Sequence, residues 1–185
     1  MAAQDRVRWD QVYKEQNKDY PPPDPLLFEF TPPALDDSEQ RALDVAAGVG
    51  QNGLWLAAQG YLVDMIDVSR IALLKAQNEM GRRQIRNVNL YQADLDTHEF
   101  APKTYELVCV FRYLKRDLFP ELRSCVRPGG RILYETFNVR YLDFVPGFNP
   151  AFLLEIGELA GYFADWKILH NIDGKQMSSL VAIKP

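Results

Sequence analysis

The segment with the most chemical content is Leu43-Asp44-Val45-Ala46-Ala47-Gly48-Val49-Gly50-Gln51-Asn52-Gly53. It sets Gly-x-Gly-x-x-Gly between an apolar run of buried-strand type and a helix-forming run. Open α/β sheets hold nucleotide-like cofactors at such turns, at the carboxyl ends of their strands. Charge selects among the cofactors. A pyrophosphate on a helix N-terminus wants backbone amides and no carboxylate close by. Asp44, four residues before Gly48, lies at or near the mouth of the turn, where it repels a phosphate and attracts a cation. S-adenosylmethionine, which has no phosphate and carries an ammonium beside a sulfonium, meets that condition better than a nicotinamide dinucleotide. The alternative for Asp44 is a structural hydrogen-bond acceptor that holds the turn.

Asp67 ends the second apolar strand, where a carboxylate can accept both hydroxyls of a ribose; its alternative is a capping acid before Ser69. Asp94 follows the third strand and can face an exocyclic adenine amine, or be one of the acids common in turns. Ala46, Asn52, Val68, Leu95 and Phe111 complete the cofactor-binding candidates.

Methyl transfer from a sulfonium is an in-line displacement, for which proximity and orientation supply most of the catalysis. A general base is needed only where the nucleophile arrives protonated. The catalytic candidates are therefore positioning groups, Arg112 and Tyr113, after the fourth strand in Phe111-Arg112-Tyr113-Leu114, with Arg116 close behind. The planar guanidinium of Arg112 suits an anionic substrate or a surface ion pair. Tyr113 can present its phenol or pack. Glu135-Thr136-Phe137 and the loop with Tyr141, Phe144 and Phe148 can form a substrate lid for an apolar or flat small molecule, or cover the sheet's edge.

Other site classes fit poorly. His98 and His170 stand at no zinc spacing from Cys109 and Cys125, so no metal is expected. Neither Gly-x-Ser-x-Gly nor Gly-x-x-x-x-Gly-Lys-Ser/Thr occurs. Arg82, Arg83 and Arg86 are the cations expected at a helix end.

The elements that must position these residues read off the pattern. Residues 4–19 predict an amphipathic helix with Val7, Trp9, Val12 and Tyr13, and Trp9 and Tyr13 are placed to close over the cofactor. Tyr20-Pro21-Pro22-Pro23 stops that helix, and residues 20–40 read as a Pro- and acid-rich connector over the surface. Strands are expected at 42–46, 62–67, 88–91, 106–111 and 131–135. Helices are expected from Leu54 to Gly60, from Ser69 with Ile71, Leu74 and Met80 inward, over Leu118–Val126 until Pro128-Gly129-Gly130, and from Ala151 to Phe163. The crossover from Asp94 to Lys103 is too short for a full helix. Two last runs, 166–169 and 180–183, flank Asp173-Gly174, a hairpin pair, and too little chain separates them for a parallel connection.

The 185 residues, 47% hydrophobic and 25% charged with net charge −4, suit one α/β domain: the helix and connector over 1–40 and a Rossmann-like core over 41–185. The mildly acidic balance argues against nucleic acid as the main partner. Two cysteines in apolar segments read as reduced core thiols. The polar start and the lack of a long apolar run point to a cytoplasmic protein with a small-molecule substrate and no membrane partner.

The segments LDVAAGVGQNGLWLA, VDMIDVS, ADL and RYLKRDLFPELRSCVRPGGRILYETF resemble the successive motifs of class I S-adenosylmethionine-dependent methyltransferases. Within them the chain resembles the small bacterial TehB-like, tellurite-resistance-type enzymes, including FNPAFLLEIGEL, from about residue 40 to the end. The resemblance implies a doubly wound, mostly parallel seven-stranded sheet with a C-terminal antiparallel hairpin and helices on both faces. It also implies Asp44, Gly48 and Gly50 around the methionine part, Asp67 on the ribose and Asp94 on the adenine, with S-adenosylhomocysteine as product. Ala47 stands where cysteine or glycine is common. HNIDGKQMSSL has no counterpart to the His- and Arg-containing segment of tellurite enzymes, so tellurite is not implied as substrate. Two rival readings are a nicotinamide-dependent oxidoreductase using the literal glycine motif and a non-catalytic cofactor-binding protein of the same fold.

Overall fold

The computed structural model describes residues 2–16, 19–34 and 40–185. Its strands form a seven-stranded sheet in the order β3-β2-β1-β4-β5-β7-β6, and the chain gathers into two compact units, residues 1–99 and 100–185.

The first unit contains α1 (Ala2–Glu15), α2 (Pro25–Phe30), β1 (Arg41–Val45), α3 (Gln51–Ala58), β2 (Leu62–Asp67), α4 (Arg70–Arg83) and β3 (Val88–Gln92). Its three strands are parallel, with Val45 beside Ile66 and Ile66 beside Tyr91. The first two are nearly continuous apolar runs because both faces are covered. Asp64 interrupts the second run and is buried, held by Arg41 at 2.7 Å and Asn89 at 2.8 Å. A buried carboxylate needs such partners.

The second unit contains β4 (Tyr105–Phe111), α5 (Phe119–Cys125), β5 (Val126–Phe137), α6 (Glu158–Gly161), β6 (Lys167–Asp173) and β7 (Met177–Ile183), with 3-10 turns at Arg116–Leu118, Val139–Asp143 and Pro150–Phe152. β4 and β5 are parallel, and β5–β7 and β6–β7 are antiparallel. The hairpin closes through Gly174, whose amide donates to the Met177 carbonyl at 2.8 Å. Phe119, Tyr134 and Phe163 are fully buried at the unit's core. Cys109 and Cys125 are both buried and share no disulfide.

Several elements differ from the expectation. α1 ends at Glu15, and residues 17–18 and 35–39 of the expected helix and connector lie outside the described residues. Val7 and Trp9 face solvent at 64% and 39% exposure. The connector is not a surface tether throughout: Asp24 caps α2 by accepting the Leu26 amide, and Leu26 and Leu27 are buried. On α4 the inward residues are Ala72, Leu73, Ala76 and Glu79, and Leu74 is exposed. The inward face thus carries two alanines, a leucine and Glu79, the last paired with Arg82 and Arg83.

Pro128-Gly129-Gly130 does not stop α5, since Val126 already turns extended and the tripeptide belongs to β5. A register shift between Tyr105 and Leu107 absorbs the irregularity. The helix expected from Ala151 to Phe163 is broken because Leu153 and Leu154 are drawn alongside the end of β5. Leu154 donates to the Phe137 carbonyl at 3.0 Å and accepts from the Val139 amide at 2.9 Å.

Candidate functional site

β1 delivers the chain into the glycine turn. Ala46 takes φ +54° and Gly48 and Gly50 take +58° and +85°, so the chain turns back sharply before α3 begins. The Gly50 amide bonds to the Ala47 carbonyl at 2.9 Å. The Asp44 carboxylate, 1% exposed, accepts the Gly53 amide at 2.8 Å and thereby fastens the first turn of α3. The structural role weighed for Asp44 is thus present. It also removes from the helix N-terminus an amide that a pyrophosphate would need. Asn52 is buried, and its side-chain carbonyl accepts the Asp24 amide at 2.8 Å.

Asp67 stands at the end of β2, 6% exposed. One carboxylate oxygen accepts the Gly48 amide at 2.7 Å, and the other accepts the Ser69 amide at 2.8 Å. Burial raises its pKa above the ordinary value, against the lowering effect of those two amides. Each carboxylate oxygen has a second lone pair, so these bonds leave acceptor capacity for hydroxyls. Val68 is half-buried, and its carbonyl accepts from Gln92 at 3.3 Å. The Ala93 amide donates to the Asp67 carbonyl at 3.2 Å, which joins the turn after β3 to the end of β2. In that turn Asp94 accepts the Asp96 amide at 3.0 Å, and Leu95 is buried. Asp44 and Asp67, near or at the carboxyl ends of β1 and β2, Asn52 in the first turn of α3, and Ala46, Gly48, Gly50, Val68, Asp94 and Leu95 on the intervening turns therefore all lie at the carboxyl ends of the three strands of the first unit.

The amino-terminal residues reach the same place. A Cβ built on Gly48 would lie 2.7 Å from the Tyr13 hydroxyl. Burial, and then the neighbouring Asp67 and Asp44 carboxylates, push that phenol far above its ordinary pKa of 10.0. The Tyr20 hydroxyl donates to the Val49 carbonyl at 2.9 Å, and the Arg83 guanidinium lies 4.8 Å over the Tyr20 ring. Of the two aromatic residues expected over the cofactor, Tyr13 lies beside the glycine turn, whereas Trp9 faces solvent with its ring 6.0 Å from that of Tyr13. The roles of Tyr20, of Asp24, and of Asp10, whose carboxylate accepts the Ser69 hydroxyl at 2.7 Å and the Ile71 amide at 3.1 Å, were missed. For Asp24 the signal was available, since Asp-Pro before an apolar pair is a helix-start signature. Asp10 carries no local signal, because it serves a helix about sixty residues away.

In the second unit Phe111 is buried at the end of β4. Arg112, next in the chain, is an exposed side chain on a left-handed backbone, φ +58°, and its amide donates to the Glu135 carbonyl at 2.7 Å. Non-glycine residues held there store about 1–3 kcal/mol of strain, which gathers at functional positions. Tyr113 is half-buried, and its carbonyl accepts the Tyr134 hydroxyl at 2.8 Å. Arg116 is committed to structure: it bonds both Glu158 oxygens, at 2.7 and 2.8 Å, and the Ala151 and Leu153 carbonyls. Phe137, Tyr141 and Phe148 pack on one another with ring centroids 4.3–6.0 Å apart, while Phe144 and Phe152 are exposed. Among the described residues no cluster of His, Cys, Asp or Glu could hold a metal, and no helix is long and apolar enough to cross a membrane.

Residues 42–130 match a family model described as a methyltransferase domain. The chain is 26% identical over 113 residues to malonyl-[acyl-carrier protein] O-methyltransferase 2 of Ilyobacter polytropus; the match covers 56% of this chain and 42% of that one, so the chain spans less than half of that curated relative. In fold it resembles TehB from Haemophilus influenzae, with TM-score 0.68 at 17% identity, covering 86% of this chain and 66% of TehB. It also resembles an S-adenosylmethionine-dependent methyltransferase from Mesorhizobium loti, with TM-score 0.70 at 15% identity, covering 86% and 96%. The first unit suits S-adenosylmethionine on its own chemistry. Two buried carboxylates, Asp44 and Asp67, flank a turn whose Gly48 leaves the space of a Cβ beside Tyr13. Such a site favours a cationic, phosphate-free ligand.

Proposed function

We propose that the protein, with residues 1–185 acting as one catalytic domain, transfers the methyl group of S-adenosylmethionine to a small-molecule acceptor that carries an anionic group. The observation that carries the cofactor half of this reading is the placement of Asp44 and Asp67. Asp44, Ala46, Gly48, Gly50 and Asn52 would hold the methionine part, Asp67 and Val68 the ribose, Asp94 and Leu95 the adenine, with Phe111 as a further contact. When bound, the cofactor supplies a sulfonium methyl that an acceptor nucleophile takes by in-line displacement.

The residues of the chain bind and orient. Asp67 fixes Gly48 and Ser69 through their amides, so the turn is rigid before ligand arrives. Arg112 supports the acceptor half of the reading: a guanidinium at the end of β4, on a strained backbone, can hold a carboxylate or other oxyanion in a bidentate grip. Tyr113 would add a phenol beside it. The aromatic group Phe137, Tyr141 and Phe148 would meet the acceptor's apolar part. We place the protein in the cytoplasm, where thiols such as Cys109 and Cys125 stay reduced.

The nicotinamide reading is disfavoured because Asp44 both occupies the Gly53 amide and would repel a pyrophosphate. The test is methyl transfer from labelled S-adenosylmethionine to matched pairs of small acceptors with and without a carboxylate. Label is expected in the carboxylate-bearing member of a pair, and Arg112→Ala should lower kcat/KM about a hundredfold, the scale of one lost charge-assisted contact. Equal transfer to both members, unchanged by Arg112→Ala, would overturn the acceptor assignment.

A further inference from the structure

Glu158 is a meeting point of the segments that follow β4 and β5. Its two carboxylate oxygens accept from Nε and Nη2 of Arg116 at 2.7 and 2.8 Å, which joins α6 to the turn after β4. The Glu155 amide donates to the same carboxylate at 2.8 Å, and the Tyr162 hydroxyl at 3.2 Å. The Arg116 fork also donates to the Ala151 and Leu153 carbonyls at 3.0 and 2.9 Å. Both side chains are partly withdrawn from water, at 38% exposure for Arg116 and 17% for Glu158. Burial works to raise the Glu158 pKa, but the bonds from Arg116 and the Glu155 amide hold it below the ordinary 4.5. The carboxylate is therefore charged at neutral pH, and its bonds to the fork are charge-assisted.

The segments tied in this way are the two that carry the acceptor groups. Arg112 and Tyr113 lie on the first, where the Arg112 amide donates to the Glu135 carbonyl and the Tyr113 carbonyl accepts the Tyr134 hydroxyl. The second runs from β5 to α6 and bears Tyr141 and Phe148, both packed on Phe137. It returns to β5 where the Leu154 amide donates to the Phe137 carbonyl. Each segment is thus pinned to the end of β5 by its own backbone, and Arg116 joins the two directly. A second route leads to the same place: Tyr162 stacks on Phe119 with centroids 3.7 Å apart, and Phe119 packs on Tyr134 at 5.2 Å. A planar guanidinium fixes direction as well as distance, and a misplacement of about 1 Å is enough to spoil a reacting geometry.

We propose that Glu158 is a positioning residue for acceptor recognition, acting through Arg116 to hold the Arg112 guanidinium at a set reach from the rings of Phe137, Tyr141 and Phe148. The acceptor so selected carries its anionic group a short, fixed distance from a ring or other apolar body. This rests on the reading of Arg112 as the group that grips the acceptor's anion.

The test uses the full chain with two probes, phenylacetate and phenylacetamide, which share the ring and differ in the carboxylate. Affinities are read by ligand-observed NMR titration, and S-adenosylhomocysteine affinity is measured on the same preparations. The wild type should prefer phenylacetate. Glu158→Gln keeps the shape of the side chain and removes its charge. It should cut that preference about tenfold, the scale of one charge-assisted hydrogen bond, with phenylacetamide and S-adenosylhomocysteine affinities unchanged. Arg116→Lys keeps the charge and removes the fork; it should act in the same way, and it decides the matter if Glu158→Gln does not fold. A wild-type preference that persists in the folded variants, even with a lowered melting temperature, would overturn the positioning role and leave the reading of Arg112 standing. Equal affinity of the wild type for the two probes would remove the reading of Arg112 and the positioning role with it.

Discussion

Asp67, at the end of β2, accepts the Gly48 amide at 2.7 Å, so the turn that follows β1 is held by the carboxylate that ends its neighbouring strand. With its other oxygen on the Ser69 amide, this single side chain sets the glycine turn and the start of α4 together. Asp67→Asn offers one acceptor oxygen in place of two and leaves one buried amide without a partner, a loss of about 1–3 kcal/mol. Urea unfolding should show that loss with an unchanged denaturant slope. An equally stable variant would mean that the two amides find partners elsewhere.

Ala46 holds φ +54°, a conformation that costs an L-residue about 1–2 kcal/mol. Ala46→Gly should therefore raise the melting temperature by a few degrees, even though glycine also loses more chain entropy on folding. Gly50→Ala should do the opposite and more strongly. Its Cβ would overlap the Met65 methyl and lie 3.1 Å from Ala76, at φ +85°. Thermal melts of the two variants check the contrast.

At Arg112 the proposed acceptor role can be separated from stability. Arg112→Gly relieves the strain at φ +58°, so the variant is expected to be about 1 kcal/mol more stable and to lose acceptor turnover, with S-adenosylhomocysteine affinity unchanged. Such a trade is usual where strain serves a site. Denaturation and calorimetry on one preparation test both halves, and a variant less stable than the wild type would show that the side chain supports the fold.

Acid should loosen the far end of α4. Hydrogen bonding from Arg82 holds the Glu79 carboxyl below its ordinary 4.5, burial opposes that, and Arg83 adds to the lowering. A depressed acid contributes stability that is present above the unfolded value and lost as pH falls through the folded one. The wild-type melting temperature should therefore drop below about pH 4.5, and Glu79→Gln should be less stable at pH 7 with a shallower acid limb. Parallel curves for the two proteins would contradict this.

Much of the frame could be read from the chain because it rests on local rules. Buried strands are apolar runs, Ser69 caps α4 by accepting the Ala72 amide at 3.1 Å, and Asp173-Gly174 turns the hairpin. The readings failed where distant contacts override local preference. Leu153 and Leu154 leave a helical pattern to lie beside the end of β5, and Leu74 faces out although it shares a period with Ile71. At the site, the glycine turn and its acids were legible from residue type and order. That Asp44 would take the Gly53 amide could be posed as an alternative but not chosen, and Asp10 on Ser69 joins residues too far apart in the chain for any pattern to register.

The most direct test of the cofactor assignment is calorimetric titration of the purified protein with S-adenosylhomocysteine, beside NADH and beside Asp67→Ala. The wild type should bind S-adenosylhomocysteine at micromolar concentrations, ignore NADH, and lose most of its affinity on substitution of Asp67. Failure to bind S-adenosylhomocysteine, or binding of NADH in its place, would contradict the assignment of the glycine turn and its two carboxylates.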